Sequence, residues 1–126
     1  MQNETASAMN SVLSVLKNEK DIQSFAAGQK LFEKGEPAAC FFYILEGQVD
    51  IQIDGRLINS HGAGEVFGEM ALIAKGTRSA TAIARTDCRA VSIGERRFLF
   101  LVQQHPFFAL EMMRVLAERL RRSSST

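Results

Sequence analysis

Short apolar runs separated by glycines fill the middle of this chain and restrict its fold more than any other feature. Eight of the nine glycines lie in the range 22–93, where they separate short runs of β-branched and aromatic residues. The alternating stretch Val49–Ile53 ends at Asp54-Gly55, a strong hairpin signal, with Leu57-Ile58 on the returning strand. Further strands are predicted at Phe41–Leu45, Thr81–Ala84 and Ala90–Ile93. The spacing of the turns predicts a meander of short strands in a sandwich or barrel rather than parallel βαβ units.

Helical periodicity replaces the strand pattern beyond residue 94. In residues 95–103 one helical face collects three apolar side chains, those of Phe98, Leu101 and Val102. This spacing predicts a short helix. Pro106 suits the first position of a second helix, which we expect to extend to about Arg122.

An apolar stripe runs along the second predicted helix. It consists of Ala109, Met112, Met113, Leu116 and Leu120, widened by Phe108 and Val115. The pairs Glu111–Arg114 and Glu118–Arg122 have the spacing of intrahelical ion pairs, and we place them on the solvent side. Basic residues alternate with these glutamates, so we interpret them as a solvated face: Arg114, Arg119, Arg121 and Arg122. The stripe exceeds what one contact with the strands requires, which predicts a homodimer through this helix.

One domain accounts for most of the 126 residues. We assign residues 21–122 to it, with the strands in 21–94 and a pair of closing helices in 95–122. Residues 1–20 are predicted to form an N-terminal arm with a short amphipathic helix, whose apolar residues are Val12, Leu13, Val15 and Leu16. The serine-rich end, 123–126, is predicted to be a frayed tail.

The composition excludes several classes of protein. Hydrophobic residues make up 46% and charged residues 23% of the chain, as in a globular protein with a packed core. The formal net charge of +1 disfavours binding to duplex DNA, which usually requires a marked basic excess. No uncharged stretch approaches the ~20 apolar residues of a membrane-spanning helix, and the polar start lacks the features of a secretory signal. We therefore expect a cytoplasmic protein that does not enter a membrane.

No motif indicates catalysis or metal binding. Cys40 and Cys88 lack metal-ligand spacing and lie in apolar stretches, which predicts buried thiols. Neither His61 nor His105 has a second histidine nearby, so we interpret them as a loop residue and a helix-flanking residue. No nucleophile elbow occurs, and neither cysteine neighbours a histidine. We therefore predict that the chain is not an enzyme and has no catalytic residue, metal or cofactor.

The most informative segment is Gly64–Ile73, together with Arg78–Thr81 beyond it. Gly68 permits close approach of the backbone to a ligand. Met70–Ile73 has the length of a single helical turn, whose free N–H groups would face an anion. Arg78 would neutralise a phosphate, since its planar guanidinium matches two non-bridging oxygens. These features together predict a phosphate site.

Glu69 is the unexpected member of this segment, because a carboxylate repels a phosphate. It would instead accept a hydrogen bond from a sugar hydroxyl, so that Glu69 and Arg78 together suit a ribose phosphate. A surface ion pair is the alternative, since the two residues are nine positions apart and flank a loop. From these residues alone, both interpretations stay open.

Six short stretches between Phe25 and Leu120 form a wider pattern: Leu31-Phe32, Gly35-Glu36, Tyr43–Val49, Phe67–Leu72, Arg78–Thr81 and Leu116–Leu120. Together they resemble the cyclic nucleotide-binding domain family. The resemblance implies a mainly β fold with flanking helices. Its expected form is an antiparallel, jelly-roll-like β-roll closed by a C-terminal helix pair.

The resemblance also implies roles for individual residues. The segment that includes Glu69 and Arg78 is similar to the family's phosphate-binding cassette, in which the glutamate holds the ribose 2'-hydroxyl and the arginine the cyclic phosphate. By this similarity Glu69 and Arg78 take those roles, and Ser79 touches the phosphate. Backbone contacts would come from Gly68, Met70 and Ala71. The full set of predicted ligand-binding residues is Phe67, Gly68, Glu69, Met70, Ala71, Leu72, Arg78, Ser79 and Ala80.

The resemblance predicts a stand-alone sensor of cAMP or cGMP that signals through its C-terminal helix to an unknown effector protein. Ser79 favours cAMP, since family members with threonine after the cassette arginine tend toward cGMP. In the catabolite-activator branch a helix-turn-helix domain follows the final helix, whereas only four residues follow Arg122 here. A gap-free count places Ser123 and Ser124 where polar residues of that branch's activators reach the base. Two alternatives stay open: a nucleotide-silent β-roll serving as a protein interaction or dimerisation module, and a fragment of a longer regulator.

Overall fold

The computed structural model describes residues 14–74 and 76–124. Its first element is a 3-10 helix, Ser14–Asn18, in which Leu16 is fully buried. Leu16 packs against the main core, so this end of the predicted arm is attached to the domain. The rest of the arm, including Val12 and Leu13 of the predicted helix, lies outside the described residues, as does the end of the predicted tail.

Ten β-strands and three α-helices follow within the described part of the chain. The strands are β1 (Ile22–Phe25), β2 (Lys30–Phe32), β3 (Pro37–Ala38), β4 (Cys40–Glu46), β5 (Gln48–Ile53), β6 (Arg56–Gly62), β7 (Val66–Phe67), β8 (Gly76–Thr77), β9 (Thr81–Ala84) and β10 (Cys88–Gly94). The helices are α1 (Met70–Ile73), α2 (Glu95–Gln104) and α3 (Pro106–Ser124). The predicted strands and both predicted C-terminal helices are confirmed, with small differences at their ends.

Two four-stranded antiparallel sheets, ordered β1-β10-β4-β7 and β2-β9-β5-β6, form the body of the fold, with a β3-β8 pair beside them. Among the described strands only β5 and β6 are both paired and consecutive, through the predicted hairpin at Asp54-Gly55. The predicted meander is therefore wrong as a connectivity. The chain passes instead from sheet to sheet, because the inner faces of both sheets bury their apolar residues against each other. The observed architecture is the expected jelly-roll-like β-roll with two C-terminal helices.

Strand β4 is buried on both faces and divides the core in two. Phe42 and Ile44 pack between the sheets, in a cluster that includes Phe67 of β7. Phe41 and Tyr43, on the opposite face, pack in a second cluster with the C-terminal helices. Burial on both faces explains the uninterrupted apolar run of this strand, where a half-exposed strand would alternate.

Helices α2 and α3 cover the outer face of the first sheet, where Leu101, Phe108 and Met112 are buried. His105 lies between the two helices, as predicted. Glu111, predicted on the solvent side, is only 3% exposed, although it does pair with Arg114. The prediction fails because Phe108, one turn earlier on the same side of α3, is anchored in the core and turns this face inward.

Several apolar side chains of the C-terminal helices remain exposed. They are Leu99 and Phe100 of α2 and Phe107, Met113 and Leu120 of α3. The final helix therefore presents apolar surface that the sheets do not cover, as its sequence predicts. In the described part of the chain, no helix has both the length and the apolar character needed to cross a membrane.

Candidate functional site

The predicted site residues surround one cavity of about 600 Å³. It lies where α1 and the loop before β9 meet the β5–β6 hairpin and the end of α3. Eight of the nine predicted residues line it: Phe67, Gly68, Glu69, Met70, Ala71, Arg78, Ser79 and Ala80. The side chain of Leu72 lies outside the described part of the structure. The fold thus brings together two segments that the sequence separates.

A tight turn at Gly68 forms one edge of the cavity. Gly68 has a φ of +77°, and a Cβ at this position would lie 2.9 Å from Arg78 Nη1. The position therefore requires glycine for both its backbone conformation and its space. Helix α1 follows as the predicted single turn, and the Ala71 N–H donates to the Gly68 carbonyl at 3.2 Å. Because this donor is used within the turn, the expected contact of Ala71 with a ligand stays a prediction.

Arg78 is a buried cation beside this turn, with only 7% of the residue exposed. Nη2 donates to the Cys40 carbonyl at 2.7 Å and Nη1 to the Gly68 carbonyl at 3.3 Å. The guanidinium also lies over the Phe32 ring, 4.0 Å from its centroid. Nε is buried without a hydrogen-bond partner, and no carboxylate among the described residues pairs with this arginine. A buried cation is costly unless it is paired, so the arrangement suits an anionic ligand.

Cys40, whose carbonyl holds Arg78, is one of two free cysteines. Cys88 is buried, as predicted, whereas Cys40 is only half-buried. The sequence did not indicate that Cys40 or Phe32 would position Arg78. Their contribution comes from strands far from the cassette, which the fold packs beneath it.

Glu69 is also buried, but it does not pair with Arg78. It is 6% exposed and pairs with Arg119 of α3, which also donates to the Val66 carbonyl. The surface ion pair that the sequence left open is therefore wrong, since each of the two buried charges has other partners. The interpretation of Arg119 as part of a solvated face is wrong as well.

The position of Arg119 has a simple explanation in helical periodicity. Arg119 lies three residues after Leu116 and seven after Met112, so it shares their side of α3. This side faces the β-roll and the cavity. A charged residue that extends an apolar stripe was the available signal, and the alternation of arginines and glutamates obscured it.

His61 lies in strand β6 and lines the same cavity, not in the loop that was predicted. Its side chain is 9% exposed. The imidazole stacks on Phe67, with ring centroids 5.9 Å apart, and Nδ1 lies 3.1 Å from Glu65 Oε1. This residue was missed as a member of the site.

A β-bulge places His61 on the inner face. An unbroken hairpin would pair Val49 with Ser60, which would turn His61 outward. The register shifts by one residue after Ile51, so that Val49 pairs with His61 instead. Since a shift of one residue exchanges the two faces of a strand, the sequence pattern alone could not locate this side chain.

His61 and Glu65 titrate away from their ordinary values. Burial, together with the charge of Arg119, lowers the pKa of His61 against the raising effect of its hydrogen bond with Glu65. Burial tends to raise the pKa of Glu65, but hydrogen bonds from the Gly62 N–H and from His61 lower it overall. The pair is therefore a neutral imidazole beside a carboxylate at neutral pH.

The chemistry available in the cavity is recognition of an anion and a hydroxyl. Arg78 can receive an anionic group, and Glu69 can accept a hydrogen bond from an alcohol. Ser79 is exposed and Ala80 half-buried at the adjoining edge. In residues 14–74 and 76–124, no group of three histidine, cysteine, aspartate or glutamate side chains could hold a metal ion.

Comparison with known proteins agrees with this geometry. The family model described as "Cyclic nucleotide-binding domain" matches residues 22–105. The chain is 31% identical over 120 residues to the CRP-like cAMP-activated global transcriptional regulator of Mycobacterium tuberculosis, covering 91% of this chain and 54% of that protein. It is 39% identical over 61 residues to the cAMP-dependent protein kinase regulatory subunit of Eremothecium gossypii, covering 48% of this chain and 13% of that protein.

Among solved structures, the fold is similar to that of the Thermus thermophilus catabolite activator protein. The TM-score is 0.75 at 26% sequence identity, over 95% of this chain and 55% of that one. The chain thus spans about half the length of the mycobacterial and Thermus relatives. The two curated relatives described above are regulatory proteins.

Proposed function

Because the chain belongs to the cyclic nucleotide-binding domain family, we propose that it binds a cyclic purine nucleotide in this cavity and transmits its occupancy through helix α3. The observation that carries the proposal is Arg78, a buried guanidinium whose Nε has no partner. A cyclic phosphate presents one negative charge on two non-bridging oxygens, which a planar guanidinium can meet with two N–H donors. Such a contact would relieve the cost of the unpartnered donor.

Glu69 is the proposed partner of the ribose 2'-hydroxyl. Its carboxylate accepts from Arg119 in the structure, and two carboxylate oxygens leave room for a second donor. Gly68 would let the ligand approach the backbone, and Ser79 would add a hydroxyl donor near the phosphate. These roles are supported by the common cavity and by the burial of both charged groups.

Arg119 is the proposed link between the ligand and α3. It joins Glu69 to the last turns of this helix, so a change at the carboxylate acts on the helix directly. A ligand shifts the helix only if it binds one helix position more tightly than another. A second copy of the chain, or an effector protein, would detect the shift through the exposed side chains of Phe107, Met113 and Leu120.

We further propose cAMP as the ligand, binding without catalysis, and the cytoplasm as the location. Two relatives are named for cAMP, and Ser79 follows the cassette arginine where threonine would favour cGMP. The stand-alone arrangement remains a prediction, because the relatives contain about twice the length of chain.

A nucleotide-silent interaction or dimerisation module is the second candidate. An apolar groove of about 310 Å³ between α1, α2 and α3 favours it, because exposed apolar surface often marks a protein interface. The groove is lined by Ile73, Phe98, Leu99, Met113 and Leu116 among others. Such a module would self-associate or bind a protein without affinity for nucleotides.

Calorimetric titration of the chain with cAMP, cGMP and 5'-AMP separates the two candidates. We expect saturable binding of one cAMP per chain. 5'-AMP should bind at least about tenfold more weakly, because its base and sugar are the same but its phosphate is open and more highly charged. No saturable binding of either cyclic nucleotide up to about 1 mM, equivalent to about 4 kcal/mol, would reject the sensor and leave the interaction module.

A further inference from the structure

The contacts proposed for phosphate and ribose leave one end of the cavity for the base, and the inference below rests on that proposed function. With the phosphate at Arg78 and the ribose at Glu69, the purine would occupy the part formed by the β5–β6 hairpin and the end of α3. That part is lined by Ile51, Ile58, Asn59, His61 and Arg119. Its walls are largely apolar, so each neutral polar side chain there can influence which base is accepted.

His61 is the more strongly fixed of the two neutral polar side chains in this wall. Asn59 lies at an exposed position, and its Oδ1 accepts from the Ser60 N–H at 2.8 Å. The His61 side chain is 9% exposed, and its ring lies at 7° to the ring of Phe67 beneath it. A ring held in this way presents the same atom to every ligand, which is the requirement for discrimination.

Glu65 determines which ring nitrogen of His61 holds the proton. Glu65 Oε2 accepts from the Gly62 N–H at 2.8 Å, and Oε1 lies 3.1 Å from His61 Nδ1. A carboxylate can only accept, so Nδ1 holds the hydrogen and Nε2 of the neutral imidazole is an acceptor. Nε2 has no hydrogen-bond partner among the described residues, and Glu65 is not part of the cavity lining. The polar atom that His61 offers to the cavity is therefore an acceptor.

We propose that His61 Nε2 accepts a hydrogen bond from the exocyclic amine of adenine, and that His61 thereby determines specificity for cAMP. Guanine has a carbonyl oxygen at the corresponding ring position, and two acceptors facing each other share no proton. Discrimination of this kind is effective because the mismatched ligand leaves a buried polar group unpaired.

The test compares cAMP with the 3',5'-cyclic monophosphate of purine riboside, which lacks only the 6-amino group. In calorimetry the parent chain should bind cAMP about tenfold more tightly than this analogue, as expected for one buried hydrogen bond. His61→Leu should lose about tenfold in cAMP affinity but bind the analogue within about twofold of the parent. His61→Gln, which keeps an acceptor, should retain part of the preference. His105→Leu, at an exposed position, is the matched control and should change neither affinity.

Two results would overturn the proposal. Equal binding of cAMP and the amine-free analogue by the parent does so without any variant, and therefore decides the case even if His61→Leu fails to fold. Equal losses for both ligands in folded His61→Leu would show that the ring acts only by packing. If the parent binds no cyclic nucleotide at all, the proposed function itself is rejected, and this inference with it.

Discussion

Glu69 and Arg78 are opposite charges buried in one cavity without pairing with each other. Arg78 is held by the carbonyls of Cys40 and Gly68, and Glu69 by Arg119. Burying an ion costs several kcal/mol unless other groups replace its water, and the two residues meet this cost with different partners. The separation leaves each charge able to contact a different part of one ligand.

Gly68→Ala should impair ligand binding as well as stability. Gly68 and Gly28 both have positive φ, +77° and +90°, so alanine should cost about 1–2 kcal/mol of stability at either position. Only at position 68 would the new Cβ meet Arg78, whereas nothing lies within 4 Å at Gly28. Urea unfolding should therefore show comparable losses in the two variants, and calorimetry should show weaker cAMP binding in Gly68→Ala alone. Parental affinity in Gly68→Ala would contradict the assignment of Arg78 to the phosphate.

Glu69→Ala should weaken cAMP binding about tenfold, because it removes a charge-assisted hydrogen bond to the 2'-hydroxyl. The same substitution should have little further effect on 2'-deoxy-cAMP, which lacks that hydroxyl. Calorimetry on both proteins with both ligands completes the cycle. Glu46→Ala, at an exposed glutamate paired with Arg89, is the control and should leave both affinities unchanged. Additive losses from the two deletions would show that Glu69 does not contact the hydroxyl.

The sequence pattern identified Glu69 and Arg78 because the cassette is a local motif, whose residues lie within a dozen positions of one another. It missed Arg119 and His61, whose positions depend on packing between distant segments. Arg119 reaches Glu69 from 50 residues away, and His61 faces inward only because of the bulge after Ile51. Neither relation leaves a local trace.

At the scale of elements, α3 is the part that joins the core to the cavity. Phe108 in its first turn is fully buried, and Arg119 lies about 16 Å further along the helix axis. One end of the helix is therefore anchored, while the other contacts the proposed ribose position. This arrangement is suited to converting a small change at Glu69 into a movement of the helix end.

Deletion of residues 115–126 should weaken both cAMP affinity and dimerisation while leaving the β-roll folded. The deletion removes Arg119 and the exposed Leu120 but keeps Phe108 and Met112, which hold the start of α3 on the sheet. Calorimetry and sedimentation measure the two losses, and circular dichroism checks the fold. A chain lacking only residues 123–126 is the control. A shortened chain that stays dimeric and binds cAMP at parental strength would remove α3 from the mechanism.

The helices and longer strands could be predicted because each has an apolar pattern of its own. The order of strands in the sheets could not, since β4 pairs with β10 across more than 40 residues and this pairing depends on the packing of the whole roll. Strands β3, β7 and β8 contain two residues each, too few to show any periodicity.

At the scale of the whole molecule, two apolar clusters meet at β4 and have different roles. Phe67 belongs to the cluster between the sheets, directly beneath the cavity, and Phe108 to the cluster under the helices. The cavity is therefore built mainly on the β-roll, while its cover belongs to the helical layer. Movement of α3 can change the cavity without disrupting the packing between the sheets.

His61 should make the stability of the whole molecule depend on pH. Its pKa in the folded state is lowered, chiefly by burial, below the ordinary value of 6.5, while Glu65 stays ionised and Arg119 stays charged near neutral pH. Near and just below pH 6.5 the unfolded chain then binds more protons, so the free energy of unfolding should fall as the solution is acidified. Urea unfolding between about pH 5.5 and 7 should show a shallower dependence in His61→Leu than in the parent. Equal slopes would mean that His61 titrates alike in both states.

The account depends above all on Arg78 as the receptor of a cyclic phosphate, and calorimetry with cAMP on two arginine variants tests this most directly. Arg85, an exposed arginine paired with Asp50, provides the matched control, since it does not line the cavity. Arg78→Ala should lose about 1.5–3 kcal/mol, roughly tenfold or more in affinity, and Arg78→Lys should recover only part of it. Arg85→Ala should bind like the parent. Binding by folded Arg78→Ala within about twofold of the parent would contradict the account.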